Sequence, residues 1–178
     1  MNESSDYLVE AIRQTLEAEP EETAKFVDNI LEARKLFVYG VGRSGLIGKA
    51  FAIRLVQLGL EVFFVGETIT PIVEEGNVVV IVSYTGETMS AIQTANIVRR
   101  VGAKVITITA NPHSKLAAAS NLVISLQPPR DDGRKRLAPL GTAFEDATLI
   151  YLDSVVAMLM EKLGQSEGSM RKRHAIWV

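Results

Sequence analysis

The sequence predicts an α/β protein: one domain built as a three-layer αβα sandwich around a five-stranded parallel sheet. Three observations predict it. Five short apolar runs, "LFVYG" (36–40), "EVFFVG" (61–66), "NVVVIVS" (77–83), "KVITIT" (104–109) and "LVISL" (122–126), are nearly continuous rather than alternating. That is the pattern of strands buried on both faces. Helical segments at 44–58, 87–101 and 114–119 separate most of them, and strands alternating with helices imply parallel pairing through right-handed crossovers. The length of 178 residues, with 47% hydrophobic and 22% charged side chains, suits a single domain with a sizeable core.

In chain order, two helices come first. Ser4 or Ser5 is placed to cap a helix from Asp6 to about Ala18. Pro20 suits the first turn of a second helix, with Glu21 and Glu22 near its positive end. Phe26, Val27, Ile30 and Leu31 then line one helical face. The five strands and their crossover helices follow. "QPPRDDGRKRLAPLG" (127–141) reads as a loop, punctuated by Pro128, Pro129, Gly133, Pro139 and Gly141. A last helix runs from Ala143 to about Leu163 and is apolar on several sides (Leu149, Ile150, Leu152, Val155, Val156, Met158, Leu159 and Met160). A terminal helix that apolar predicts a subunit interface. The chain divides into N-terminal helices (1–35), an αβα core (36–163) and a tail (164–178) that is basic and then apolar.

Composition excludes several classes of function. There is no cysteine and there are two histidines, His113 and His174, so neither a disulfide scaffold nor a thiolate or histidine-rich metal site is expected. A net charge of −2 gives no reason to expect a nucleic-acid partner. The polar, acidic N-terminus is unlike a signal peptide, and no run of about 18 apolar residues is present to span a membrane. A soluble cytoplasmic protein is the expectation.

Ligands of open parallel sheets bind at the carboxyl ends of the strands. After the first strand comes "GVGRSG" (40–45), a G-x-G-x-x-G spacing whose glycines and following helix N-terminus suit a phosphate. On its own it reads equally as a bare strand-to-helix turn or as a dinucleotide loop, with Glu67 placed for a ribose hydroxyl. After the third strand comes "VSYTGETMS" (82–90), which gathers Ser83, Thr85 and Thr88 with Gly86 where a helix begins. A helix cap needs one hydroxyl. Three of them, facing a glycine-rich loop across the same sheet edge, favour an anion held from both sides.

The pair "GVGRSG" and "VSYTGET" resembles the SIS (sugar isomerase) domain, a flavodoxin-like αβα fold that binds phosphosugars. The resemblance runs from about Leu36 to Leu163. It implies that Ser44, Ser83, Thr85 and Thr88 hold a phosphate, with Gly42, Arg43 and Gly86 in supporting contact. It also implies a homotetramer and neither a metal nor an organic cofactor. The two short N-terminal helices, "APLGTAFE" and the tail beginning "MRKRHA" resemble in particular the family's ketose-phosphate isomerases. Such an isomerisation runs through a cis-enediolate and needs a base close to the migrating proton. The resemblance puts Glu145 in that role, and His174 beside it from a neighbouring subunit. Read locally, Thr142 to Glu145 is a T-x-x-E capping box, which would bind the glutamate to its own helix. Glu87, in the first turn after the hydroxyl loop, should turn away from a phosphate toward a helix dipole. His113 and Asn111, in "NPHS", read as turn residues, and the cluster Arg134-Lys135-Arg136 as solvated surface. Three other readings compete: another phosphosugar isomerase, such as one acting on arabinose 5-phosphate; a phosphosugar-binding sensor without catalysis; and a nucleotide-dependent oxidoreductase.

Overall fold

The computed structural model describes residues 2–17 and 21–175. Pro20, assigned to the first turn of the second helix, and the predicted helix end at Ala18 lie outside the described residues. The sheet consists of β1 (Leu36–Gly40), β2 (Val62–Phe64), β3 (Val78–Val82), β4 (Lys104–Thr109) and β5 (Leu122–Ser125). All pairings are parallel, in the order β2-β1-β3-β4-β5. This is the doubly wound, flavodoxin-like order, and the predicted fold class holds.

Burial on both faces explains the apolar runs. Leu36, Val38, Val78, Val80, Ile106 and Ile108 face one core, with Phe26, Phe51, Phe144 and Leu152 from the helices. The intervening Phe37, Val79, Ile81 and Val105 face a second core, with Ala91, Ala95, Val98 and Leu116. The first layer holds α1 (Glu3–Glu17), α2 (Thr23–Glu32), α3 (Gly42–Leu58) and α7 (Thr142–Lys162). The second holds α4 (Met89–Arg100) and α5 (Lys115–Ala118). Between β2 and β3 the chain crosses without a helix, and Val65 and Val73 of that segment pack on the second core.

Three local expectations are corrected. The first helix begins at Glu3, and its cap is Asn2, whose side-chain oxygen accepts the Ser5 N–H at 2.9 Å. Ser4 instead donates to the Leu137 carbonyl at 2.7 Å. Second, the 127–141 loop contains a short helix, α6 (Gly133–Leu137). It is held by contacts remote in sequence: Tyr7 donates to Asp131 at 2.8 Å, and Arg136 pairs with Glu3. Third, a further helix, α8 (Glu167–Arg171), forms in the tail behind a Ser166–Ser169 capping box. Part of the apolar surface of α7 is met within the chain, while Ile150 is exposed. Leu152, Val155, Val156 and Leu159 are buried within the chain, since α1, α2 and α3 all pack against this helix. Among the described residues no helix is long and apolar enough to cross a membrane.

Candidate functional site

The chain leaves β1 toward β2 on one side and enters β3 on the other, so the loops from the carboxyl ends of β1 and β3 part to opposite faces and open a crevice. Both lead into helices whose N-caps, Val41 for α3 and Thr88 for α4, make no side-chain capping bond. The crevice is therefore bordered by two helix starts open to an anion.

In the first loop, Gly40 and Gly45 press backbone on backbone. A β-carbon on Gly45 would lie 2.6 Å from the Gly40 carbonyl oxygen. That contact starts α3 directly on the strand end and buries Ser44 at the crevice. Gly42 opens α3 at φ 59°. In the second loop, the Ser83 hydroxyl accepts the Gly86 N–H at 3.3 Å and lies 3.4 Å from the Thr88 hydroxyl. The Thr85 hydroxyl accepts the Glu87 N–H at 3.2 Å. Gly86 is at φ 67°, and a β-carbon there would fall 2.0 Å from the Ser114 hydroxyl, so only glycine fits. Ser44, Ser83, Thr85 and Thr88 line one small cavity of about 150 Å3, together with Val41 and Tyr84. It is bordered by hydroxyls and contains no lysine or arginine.

Tyr84 and Thr85 also border a second cavity, of about 380 Å3, lined further by Asn111, Gln127, Arg130 and Arg134. Arg134 donates to the Tyr84 hydroxyl, and Asn111 donates to the Thr85 carbonyl at 3.4 Å. Sequence reasoning missed Tyr84, Arg130 and the orientation of Arg134. The arginines look like solvated charge in the sequence, and they are brought to the sheet edge only because α6 docks on α1.

Glu145 lies 7% exposed in the first turn of α7. The capping box read from the sequence does not form. Thr142 donates its hydroxyl to the Pro139 carbonyl at 2.7 Å, and the N-cap Gly141 makes no side-chain bond. The Glu145 carboxylate accepts from Nε of Arg43, 102 positions earlier in the chain. Nη2 of Arg43 stands 3.8 Å from Asp146, and the Arg43 side chain is 60% exposed. A β-carbon on Gly141 would touch both the Tyr84 ring (3.3 Å) and the Glu145 carboxyl carbon (3.6 Å). The carboxyl thus sits one glycine away from the ring shared by both cavities. The electrostatics agree with the geometry: the Glu145 carboxylate raises the Arg43 guanidinium further above its ordinary value. Burial pushes the Asp146 carboxyl up, against the pull of Arg43.

The other candidates separate cleanly. Glu87 is not among the residues of the hydroxyl cavity but lines the larger one beside it, where it accepts the Lys115 N–H at 3.1 Å at the start of α5, with Lys115 Nζ at 3.3 Å. These contacts hold its carboxyl below the usual range. His113 donates its N–H to the Asn111 side chain at 3.3 Å, as the turn reading requires. Glu67, placed by the dinucleotide reading on a ribose, pairs with Lys49 at 3.0 Å. His174 is not at this crevice within the chain. It lines a separate apolar groove of about 490 Å3 against α3, with Lys49, Ile53, Val56 and Phe64, and shares no lining residue with the hydroxyl cavity. Among the described residues, no cluster of three or more acidic, histidine or cysteine side chains could hold a metal.

Comparison with known proteins bears on these features. The SIS domain model matches residues 29–159. A 3-hexulose-6-phosphate isomerase of Bacillus subtilis is 38% identical over 159 residues, spanning 87% of this chain and 86% of its own. An uncharacterized protein of Aeropyrum pernix is 44% identical over 158 residues, 81% of this chain and 74% of its own. A crystal structure from Methanococcus jannaschii, inferred to be a 3-hexulose-6-phosphate isomerase, superposes with a TM-score of 0.85 at 32% identity, covering 98% of this chain and 97% of that one.

Proposed function

The chain belongs to the SIS-domain family, and from that premise we propose that it is a phosphosugar isomerase interconverting 3-hexulose 6-phosphate and fructose 6-phosphate. The observation that carries the reading is one arrangement: four hydroxyl side chains line a single cavity between two uncapped helix starts, with a buried carboxylate beside it. Hydroxyls and N–H groups bind a phosphomonoester without a fixed cation. The 380 Å3 cavity that shares Tyr84 and Thr85 offers polar room for the sugar carbons.

Glu145 is the base. It removes the C2 proton of 3-hexulose 6-phosphate, and the electron pair moves through C2–C3 onto the carbonyl oxygen of C3, giving a cis-enediolate. The proton of the C2 hydroxyl passes to the C3 oxygen, and Glu145 returns its own proton to C3. The carbonyl now stands at C2, and no atom is gained or lost. This reaction belongs to the ribulose monophosphate route of formaldehyde metabolism. A subunit contact that accompanies the reading includes α3. Leu46, Ile53 and Val56 are exposed along α3, and Ile53 and Val56 border the groove that holds His174, so a second copy seated there covers an apolar stripe and takes up this histidine.

The test is a coupled assay that generates 3-hexulose 6-phosphate and follows fructose 6-phosphate. Wild-type turnover that falls at least about 100-fold in Glu145→Gln supports both reaction and base. Turnover that survives the substitution removes Glu145 from the mechanism. Absence of turnover, with fructose 6-phosphate still raising the Tm, makes the protein a sensor.

A further inference from the structure

We infer that the 380 Å3 cavity beside the hydroxyl site is an anion subsite. It takes a second negative group, at the end of a phosphosugar away from its phosphate, on Arg130 and Arg134. The inference rests on the reading of the hydroxyl cavity as the phosphate site. Three observations carry it. First, both arginines line this cavity, and it shares Tyr84 and Thr85 with the hydroxyl cavity. A phosphosugar anchored in one therefore runs its chain into the other.

Second, neither guanidinium is matched by a carboxylate. Among the described residues, the Arg130 side chain makes no hydrogen bond or ion pair, and the guanidinium of Arg134 donates to the Tyr84 hydroxyl alone. Arg136, in the same short helix α6, shows the alternative, for it pairs with Glu3. Glu87 also lines the cavity, but its carboxylate is already met by the Lys115 N–H at 3.1 Å and the Lys115 ammonium at 3.3 Å. Asp131 and Asp132 follow Arg130 in the chain and do not line the cavity; Asp131 accepts from the Tyr7 hydroxyl and the Arg134 N–H. Two positive charges on the cavity wall are left without a counter-charge.

Third, the two arginines differ in freedom. Arg134 is fixed at both ends, by its N–H on Asp131 at 3.0 Å and by its side chain on Tyr84. Arg130 is exposed and bound to nothing, so it is free to fold onto a ligand. A guanidinium recognises a carboxylate or a phosphate in a bidentate, charge-assisted way. The neutral chain of a hexulose phosphate offers these charges nothing to neutralise, whereas a phosphosugar acid or a sugar bisphosphate does. Such a ligand fills both cavities at once, binds more tightly than a singly phosphorylated ketose, and competes with it.

The test is calorimetric titration with three ligands. Fructose 6-phosphate is the neutral-chain reference; 6-phosphogluconate carries a carboxylate at C1, and fructose 1,6-bisphosphate a second phosphate there. In the wild type at low salt, at least one doubly anionic ligand binds about tenfold or more tighter than the reference, and the advantage shrinks as salt rises. Which of the two gains more identifies the anion. In Arg130→Gln the advantage falls several-fold, and in the double variant Arg130→Gln/Arg134→Gln it disappears. Lys135→Gln, exposed and lining neither cavity, keeps it. Equal affinity for all three ligands in the wild type overturns the subsite, as does an advantage that survives the double substitution or is lost equally in Lys135→Gln. Should the double variant fail to fold, Arg130→Gln decides alone, since its side chain has no bond to lose. Binding needs no turnover. A protein that prefers the doubly anionic ligands without isomerising the hexulose phosphate loses the isomerase reading and keeps the subsite; turnover without the preference loses the subsite alone.

Discussion

The starts of α4 and α5 lie at the same edge of the sheet, one loop apart, and are finished in opposite ways. At α5, Ser114 accepts the Ala117 N–H at 3.2 Å, and Glu87 accepts that of Lys115. At α4, Thr88 stands at the cap position and makes no capping bond, while Ser83 and Thr85 spend their hydroxyls on the loop and the cavity. The residue types are nearly the same. The free N–H groups of a helix start must be met by something. A helix start that keeps a hydroxyl at its cap position without using it is therefore open to a ligand, whereas α5 is closed by its own side chains.

The largest test of this comparison is Gly86, where the two helix starts touch. In Gly86→Ala the new methyl would fall 2.0 Å from the Ser114 hydroxyl, at a φ of 67°. Overpacking and backbone strain together cost about 2 kcal/mol or more, a Tm loss of roughly 4–8 °C. Fructose 6-phosphate binding should fall with it, because the loop that presents Ser83 and Thr88 must shift. Adding Ser114→Gly removes the nearest atoms in the way at a cost of only a few tenths of a kcal/mol in capping, so the double variant should recover the overpacking part of the loss and keep the part due to the positive φ. A Gly86→Ala protein with wild-type Tm would break the close approach on which the comparison rests.

The next pair is Ser114→Ala against Thr88→Ala. The first removes a used cap and should cost about 1 kcal/mol, lowering the Tm by roughly 2–4 °C and leaving fructose 6-phosphate affinity unchanged. The second removes an unused one. Its Tm should stay near wild type, while affinity drops roughly tenfold, the loss of one hydrogen bond to a charged group. Calorimetry of both proteins, with and without ligand, separates the two. Equal Tm losses with no change in affinity would make Thr88 an ordinary cap.

What the sequence made legible divides along the same lines. The strands and their parallel pairing could be read because burial on both faces leaves a local signature: Val78, Val79, Val80, Ile81 and Val82 are all buried, as an unbroken apolar run requires. The hydroxyl cavity could be read because its two loops follow strands β1 and β3, and a doubly wound sheet brings those ends together. What escaped was set by partners far away in the chain. Thr142 to Glu145 has the letters of a capping box, but Glu145 meets Arg43 instead. Arg134 and Arg136 look like solvated charge, yet they reach Tyr84 and Glu3 through a helix that forms in a stretch rich in proline and glycine. No local pattern in α7 shows that α1, α2 and α3 all pack against it.

The smallest effect concerns Glu87, the side chain nearest to belonging to both helix starts. Its carboxyl is held below its ordinary value by the Lys115 N–H first and the Lys115 ammonium next. A carboxylate whose folded value is depressed adds stability that is present above its unfolded value, and that is lost as pH falls through the folded one. The wild type should therefore exceed Glu87→Gln in Tm at pH 7, and the gap should close as the pH drops below the ordinary carboxyl value of 4.5. Both partners are solvent-exposed, at 43% for Glu87 and 74% for Lys115, so the gap is small and shrinks further in high salt. Ligand affinity supplies the sharper criterion. A carboxylate facing the phosphate would repel it, and neutralising it would tighten fructose 6-phosphate binding. Because Glu87 is turned onto α5, Glu87→Gln should leave that affinity within about twofold. Clear tightening would mean that Glu87 faces the ligand after all, and that the closed and open helix starts share a residue.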